Sequence, residues 1–168
     1  MKEIKEHIQI TESRPVTDKY YEFTDFVYDY AGIEHFPLHK KGLSRFLPLL
    51  PIEDIYTKIK NLGNTPLEKA KNFGAEVGFS NLWIKREDLN PTGCFKDRES
   101  AVIISAAIEK GHKSVYIVSS GNAALSTAKF AKEAGIECTC YVPEKTSQEK
   151  KDLVVKFGAK LETIPGFY

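Results

Sequence analysis

The sequence predicts an α/β fold: a parallel sheet with flanking helices, preceded by an irregular, aromatic-rich arm. Three observations predict it. After Asn61, short apolar runs alternate with longer stretches of helical period. Glycines stand directly after the helical stretches, at Gly111, Gly135 and Gly158. Each apolar run reaches the next through a helix, which forces parallel strands and right-handed crossovers.

The first sixty residues lack both periods. "KYYEFTDFVYDYAGIEHFPLHKKGLSRFLPLLP" is broken by Pro37, Pro48 and Pro51, and neither alternates nor repeats at helical spacing. Its aromatics give it apolar surface worth burying, which argues against disorder. Residues 1–60 are therefore read as an arm of short elements that wraps the main domain or meets a second subunit. The domain proper is residues 61–168.

In that domain Leu82 to Lys85 ("LWIK") is the first strand. Asp97 to Lys110 is a helix, with Ala101, Ile104, Ala107 and Ile108 on one face. Val115 to Val118 ("VYIV") is an almost wholly apolar strand, and Asn122 to Ala134 an alanine-rich helix stopped by Gly135. Cys138 to Val142 ("CTCYV") is the next strand. Thr146 and Glu149 stand at capping-box spacing ahead of a helix through Phe157. "KLETI" closes the series as the fourth strand of the sheet.

Composition narrows the function classes. At 168 residues the chain can bury a real core. Lys and Arg number 24 against 23 Asp and Glu, so no charge excess points to nucleic acid or an anionic membrane. Cys94, Cys138 and Cys140 are an odd set without CxxC spacing, and read as reduced thiols of an intracellular protein. No apolar run is long enough to span a bilayer, and "MKEIKEHIQITESRP" lacks the apolar core of a signal peptide. Glu3, Glu6 and Glu12 argue against an organelle transit peptide, so a cytoplasmic location is expected. His35 and His39 have helical metal-ligand spacing, but Pro37 breaks that helix and no metal site is expected. Cys138 and Cys140 face one side of their strand and are read as packing groups.

Chemistry concentrates at two strand ends, where open α/β sheets bind ligands. "NPTGCFKD" follows the first strand and "SSGNAA" the second. Ser119, Ser120, Gly121 and Asn122 form a strand-to-helix turn of small residues. Its backbone N–H groups and the helix dipole suit a carboxylate or phosphate. Lys96 opens the other helix, beside apolar Phe95. There the dipole and desolvation both disfavour an ammonium, leaving a fraction of the amine neutral and nucleophilic. A lysine followed by Asp and Arg is ordinarily a solvated surface group, so the residue alone does not decide.

The combination does. "LGNTPLEKA", "LWIKREDLNPTGCFKDR", "SSGNAA" and "GAKLETIPGFY", in this order, resemble the β-family (fold type II) of pyridoxal-phosphate enzymes, and within it the threonine synthases. The resemblance covers Leu62 to Tyr168 and implies a three-layer αβα domain. It implies pyridoxal 5'-phosphate as cofactor, held as a Schiff base by Lys96, which then shuttles a proton at the substrate α-carbon. Phe95 would position the lysine loop, Asn122 would meet the cofactor's phenolic oxygen, and Ser119, Ser120, Gly121, Asn122 and Ala123 would receive the substrate carboxylate. Asp97 and Arg98 would fix the helix start. The implied reaction converts O-phosphohomoserine to threonine and phosphate by γ-elimination and β-hydration, in a homodimer with a small amino acid as substrate.

Two positions depart from the family pattern: Cys94, where Ser is common, and Glu99, where a small residue is usual. The resemblance implies that the family's glycine-rich phosphate loop and the residue facing its pyridine nitrogen would fall beyond Tyr168. The chain is thus expected to be the N-terminal part of the family fold, with residues 61–168 a partial cofactor domain. No GxGxxG or GxxxxGK[ST] offers a nucleotide site. These 168 residues alone are therefore expected to bind cofactor weakly and not to turn over. Alternatives are another lyase or synthase of the family, of dehydratase or cysteine-synthase type, and a non-catalytic α/β domain.

Overall fold

The computed structural model describes residues 2–5, 8–10, 14–17, 21–23, 26–28, 30, 39–59 and 62–166. His35 and Pro37 lie outside them, so the His35–His39 reading does too. Among the described residues no group of His, Cys, Asp and Glu could hold a metal ion.

The arm does hold short elements. They are β1 (Lys2–Lys5), β2 (Ile8–Ile10), β3 (Arg14–Thr17), β4 (Tyr21–Phe23) and β5 (Phe26–Tyr28). β1, β2 and β5 form one antiparallel sheet in that order, and β3 pairs antiparallel with β4. A 3-10 helix follows (Gly42–Leu49) and buries Leu43. Gly42 is required there: its φ is +59°, and a Cβ would sit 2.1 Å from Leu62 O.

The first correction concerns "LWIK". It forms β7 (Trp83–Lys85), but its partner is β6 (Leu67–Lys69), and the two run antiparallel with Leu67 opposite Lys85. Between them lies only a six-residue helix, α1 (Lys71–Glu76). Its exit is a tight reversal: Phe79 N donates to Gly74 O at 2.7 Å, and a Cβ at Gly74 would meet Phe79 O at 2.5 Å. A reversal so short returns the chain beside itself, which gives an antiparallel pair.

The regular βαβ part begins with α2 (Lys96–Glu109) and continues through β8 (Ser114–Val118), α3 (Asn122–Ala134), β9 (Glu137–Pro143), α4 (Gln148–Lys156) and β10 (Lys160–Ile164). The sheet is parallel in the order β10-β9-β8, with Ser114 opposite Glu137 and Lys160 opposite Thr139. It holds three of the four strands expected of it, β7 being the one lost. α3 ends as its glycine demands: Gly135 is left-handed at φ +72°, and Ile136 N closes on Ala131 O at 3.1 Å. The expected capping box does not form. α4 starts one residue later, with Ser147 at the N-cap and no side-chain cap, while Thr146 N turns back onto Pro143 O at 2.9 Å.

Two crossovers stepping the same way across the sheet put α3 and α4 on one face. There Val115, Ile117, Cys138, Cys140 and Leu161 meet Ala124, Ala128, Phe130, Ala131 and Val154. Alanines along α3 let α2 lie close, with Ala101 and Ile104 sealing the layer. Burying Phe130 contributes on the order of 2–3 kcal/mol. Cys138 and Cys140 point into this core with their sulfurs 3.9 Å apart. The opposite face shows Tyr116, 77% exposed, and Val118. The α/β class with a parallel sheet and flanking helices therefore holds, while the described helices supply one of the two outer layers.

Residues 53–56 lie against the C-terminal half of α2. Glu53 N and Asp54 N donate to Glu109 Oε1 at 2.7 and 3.1 Å, and Tyr56 N donates to Ser105 Oγ at 2.9 Å. Ile52 is buried alongside.

Candidate active site

α2 enters and β8 leaves in opposite senses, and so do β8 and α3. The two helices thus run parallel, with both N-termini at the carboxyl end of β8. Side-chain bonds fix their register: Ser126 Oγ donates to Asp97 Oδ1 at 2.6 Å, and Ser100 Oγ lies 3.3 Å from Thr127 Oγ1. Lys96 and Asn122 each open one of these helices, so the two predicted motifs share one end of the layer.

The loop before Lys96 is held by a buried carboxylate. Asp97 is fully buried and accepts from Thr92 N at 2.6 Å, Thr92 Oγ1 at 2.5 Å and Ser126 Oγ. A charge is tolerated inside a protein only with such a set of donors. Lys129 of α3 also donates to Pro91 O at 2.9 Å. The "NPTG" loop is thereby fastened to both helices.

A second lock joins "GNTP" to "REDLN" and "KDR". Arg98 grips Glu87 with two bonds, Nε to Oε2 at 2.9 Å and Nη2 to Oε1 at 2.7 Å, and reaches Gly63 O at 3.0 Å. Glu87 also accepts from Thr65 Oγ1 at 2.7 Å and Asn90 Nδ2 at 2.8 Å. The Arg98 guanidinium, helped by these donors against partial burial, holds the Glu87 carboxyl down at about 2. Lys85 Nζ donates to Thr65 O, tying β7 into the same knot. Asp97 and Arg98 thus fix the helix start, as the resemblance implied.

Gly63 is the tight point of this lock. Its φ is +65°, a Cβ would meet Arg98 Nη1 at 2.6 Å, and its N–H donates to Asn90 Oδ1 at 3.1 Å. Gly63→Ala is expected to cost about 2 kcal/mol through left-handed strain and displacement of Arg98, seen as a lower urea midpoint.

Lys96 differs from expectation in one respect. Its Nζ donates to Glu99 Oε2 at 2.6 Å and lies 5.2 Å from the centre of the Phe95 ring. The sequence places this amine where dipole and desolvation disfavour its charge; the structure gives it a carboxylate partner one turn along the same helix. Glu99, noted in the sequence as a departure, is the partner of the Lys96 amine.

At the second motif, Ser119 N donates to Tyr141 O at 3.1 Å and prolongs the β8–β9 ladder. Ser119 Oγ accepts from Gly121 N at 3.2 Å. Gly121 is the N-cap of α3 and gives it no side-chain cap, and a Cβ there would find no atom within 4 Å. Asn122 is exposed, while Ser119, Ser120 and Ala123 are half-buried. A helix start without a side-chain cap, at the same end of the layer as a primary amine, fits an aldehyde cofactor and a small anionic group.

The residues that sequence reasoning passed over are the fasteners: Thr65, Glu87, Asn90, Thr92 and Ser126. The available signal was polarity out of place, as with Ser126 and Thr127 on the buried face of an alanine-rich helix.

Comparison with known proteins bears on the fold and the family. Residues 59–168 match the family model described as pyridoxal-phosphate dependent enzyme. The chain is 34% identical over 151 residues to a threonine synthase of Methanocaldococcus jannaschii, covering 84% of this chain and 37% of that protein. It is 38% identical over 119 residues to a threonine synthase of Mycobacterium bovis, covering 70% and 33%. The chain spans about a third of the length of these relatives. Among solved structures, maize serine racemase superposes with a TM-score of 0.56 at 30% identity, over 61% of this chain and 31% of that one. Threonine deaminase isoform 2 of Solanum lycopersicum gives 0.55 at 28% identity, over 61% and 28%. By its matched residues and its fold, the chain belongs to the pyridoxal-phosphate-dependent enzymes of fold type II.

Proposed function

We propose that this chain carries the lysine-bearing part of a threonine synthase-like enzyme, one that converts O-phosphohomoserine to threonine and phosphate. The observation that carries the reading is the placement of Lys96 and the Gly121–Asn122 turn at one end of two parallel helices, held by the Asp97–Ser126 bond. The likeness to proteins named threonine synthase supports the choice of substrate.

In this reading Lys96 Nζ bears the cofactor, and Phe95 and Asn122 border it. When bound, pyridoxal phosphate supplies an electron sink for charge developing at the substrate α-carbon. Lys96 moves the proton at that carbon. Ser119, Ser120, Gly121, Asn122 and Ala123 receive the substrate carboxylate, with the first amides of α3, at Asn122 and Ala123, left without a side-chain cap. The division into an arm of residues 1–60 and a cofactor domain of residues 61–168, a cytoplasmic location and a homodimer belong to the same proposal. Among the described residues no helix is long and apolar enough to cross a membrane.

A second reading, an amino-acid deaminase or racemase, is favoured by the solved relatives, whose names carry those activities. Incubation with pyridoxal phosphate followed by borohydride should fix the label on the Lys96 peptide and lose it in Lys96→Ala. Equal labelling of many lysines, or persistence in Lys96→Ala, overturns the assignment. Phosphate release from O-phosphohomoserine, set against oxo-acid release from threonine or serine, separates the two readings.

A further inference from the structure

We infer that Glu99 is a positioning residue for Lys96: a releasable counter-ion that holds the amine in place and governs how fast it captures an aldehyde. This rests on Lys96 being the cofactor-bearing amine.

The first turn of α2 has two acids with separate tasks. Asp97 is fully buried and engaged by Thr92 and Ser126, so it has no capacity for the amine. Glu99 is half-exposed and turned outward, with its Oε2 2.6 Å from Lys96 Nζ. Among the described residues Arg98 pairs with Glu87 and Lys129 donates to Pro91 O, so neither competes for Glu99.

Its setting makes it releasable. The helix dipole favours Glu99 in the first turn and disfavours Lys96 there, so the carboxylate is the fixed partner and the amine the mobile one. Lys96 is 34% exposed and Glu99 50%, and pairs this open are weak and screened by salt. A weak latch suits an amine that must leave its partner to react. Capture itself is balanced without a co-reactant. Lys96 first gives one ammonium proton to water. Its freed lone pair then joins the aldehyde carbon, and the aldehyde oxygen departs as water with one more proton from the nitrogen and one returned by solvent, so the positive charge ends on the new C=N linkage.

The test is the rate of pyridoxal-phosphate labelling at Lys96, trapped with cyanoborohydride and counted by peptide mass spectrometry in the wild-type chain, Glu99→Gln and Glu99→Asp. Lys129 in the same digest is the internal reference. Glu99→Gln is expected to label Lys96 about two- to fivefold faster at low salt, with the gap closing at high salt. Glu99→Asp should fall between the two. Lys129 should not change. Equal rates at Lys96, a gap insensitive to salt, or a parallel rise at Lys129 would overturn the inference. Absence of Lys96 labelling in wild type and variants alike would instead remove the functional reading beneath it.

Discussion

Asp97→Ala is expected to lower the unfolding free energy by about 3–5 kcal/mol, measured by urea titration. The side chain is fully buried, and its loss strands donors at Thr92 N, Thr92 Oγ1 and Ser126 Oγ that are aimed at it. Each stranded donor costs about 1–3 kcal/mol, reduced where a hydroxyl can rotate to another acceptor. Thr92 N cannot rotate, so its amide should show the clearest gain in hydrogen exchange. Asp97→Asn refines the argument. An amide keeps one oxygen for the two hydroxyls but turns an NH2 toward Thr92 N–H, so donor faces donor. Its cost should be smaller than that of alanine, with Thr92 exchange still raised. If Asp97→Asn matched wild type in both, the carboxylate would not be what fastens the loop.

That lock also shows where the sequence was legible. Asn122–Ala134 and Lys160–Ile164 have the bounds that periodicity and the flanking glycines predict, because each is decided by its own residues. "LWIK" was assigned to the wrong sheet because a strand's pattern says nothing about its neighbour. β6 is three exposed residues, two of them charged, and leaves no apolar signature. The capping box failed for a related reason: the turn after β9 is set by Thr146 N closing on Pro143 O, a backbone bond that outranks side-chain spacing. Lys96 and the 119–123 turn stand out only through the order of their motifs, which resembles a known family; each alone is ordinary at a strand end. Glu87, Thr65 and Gly63 were not, since they meet Arg98 only after the chain has folded back from residues 11, 33 and 35 positions away. A sequence shows what a segment is built from more readily than what it will touch.

The Glu87–Arg98 lock gives the second large effect, and it depends on pH. Folding lowers the Glu87 carboxyl from 4.5 to about 2, chiefly through the Arg98 hydrogen bond. A depressed carboxyl contributes its stability above its unfolded value, and that contribution disappears as pH falls toward the folded value. Glu87 should therefore stabilise the chain fully above about pH 5 and hardly at all near pH 2. Both side chains are about a quarter exposed (27% and 26%), so solvent reduces the contribution to about 2 kcal/mol. Arg98→Met is expected to cost more at neutral pH, about 3 kcal/mol, because it leaves Glu87 charged and half-buried among Thr65 and Asn90. Adding Glu87→Gln to Arg98→Met removes the orphaned charge, so the double variant should be more stable than the sum of the single losses predicts. Urea midpoints from pH 7 to pH 2.5 decide it. The gap between wild type and Glu87→Gln should narrow with acid, whereas parallel curves would mean that the carboxylate is not held by the guanidinium, and that "GNTP", "REDLN" and "KDR" are joined by something other than this ion pair.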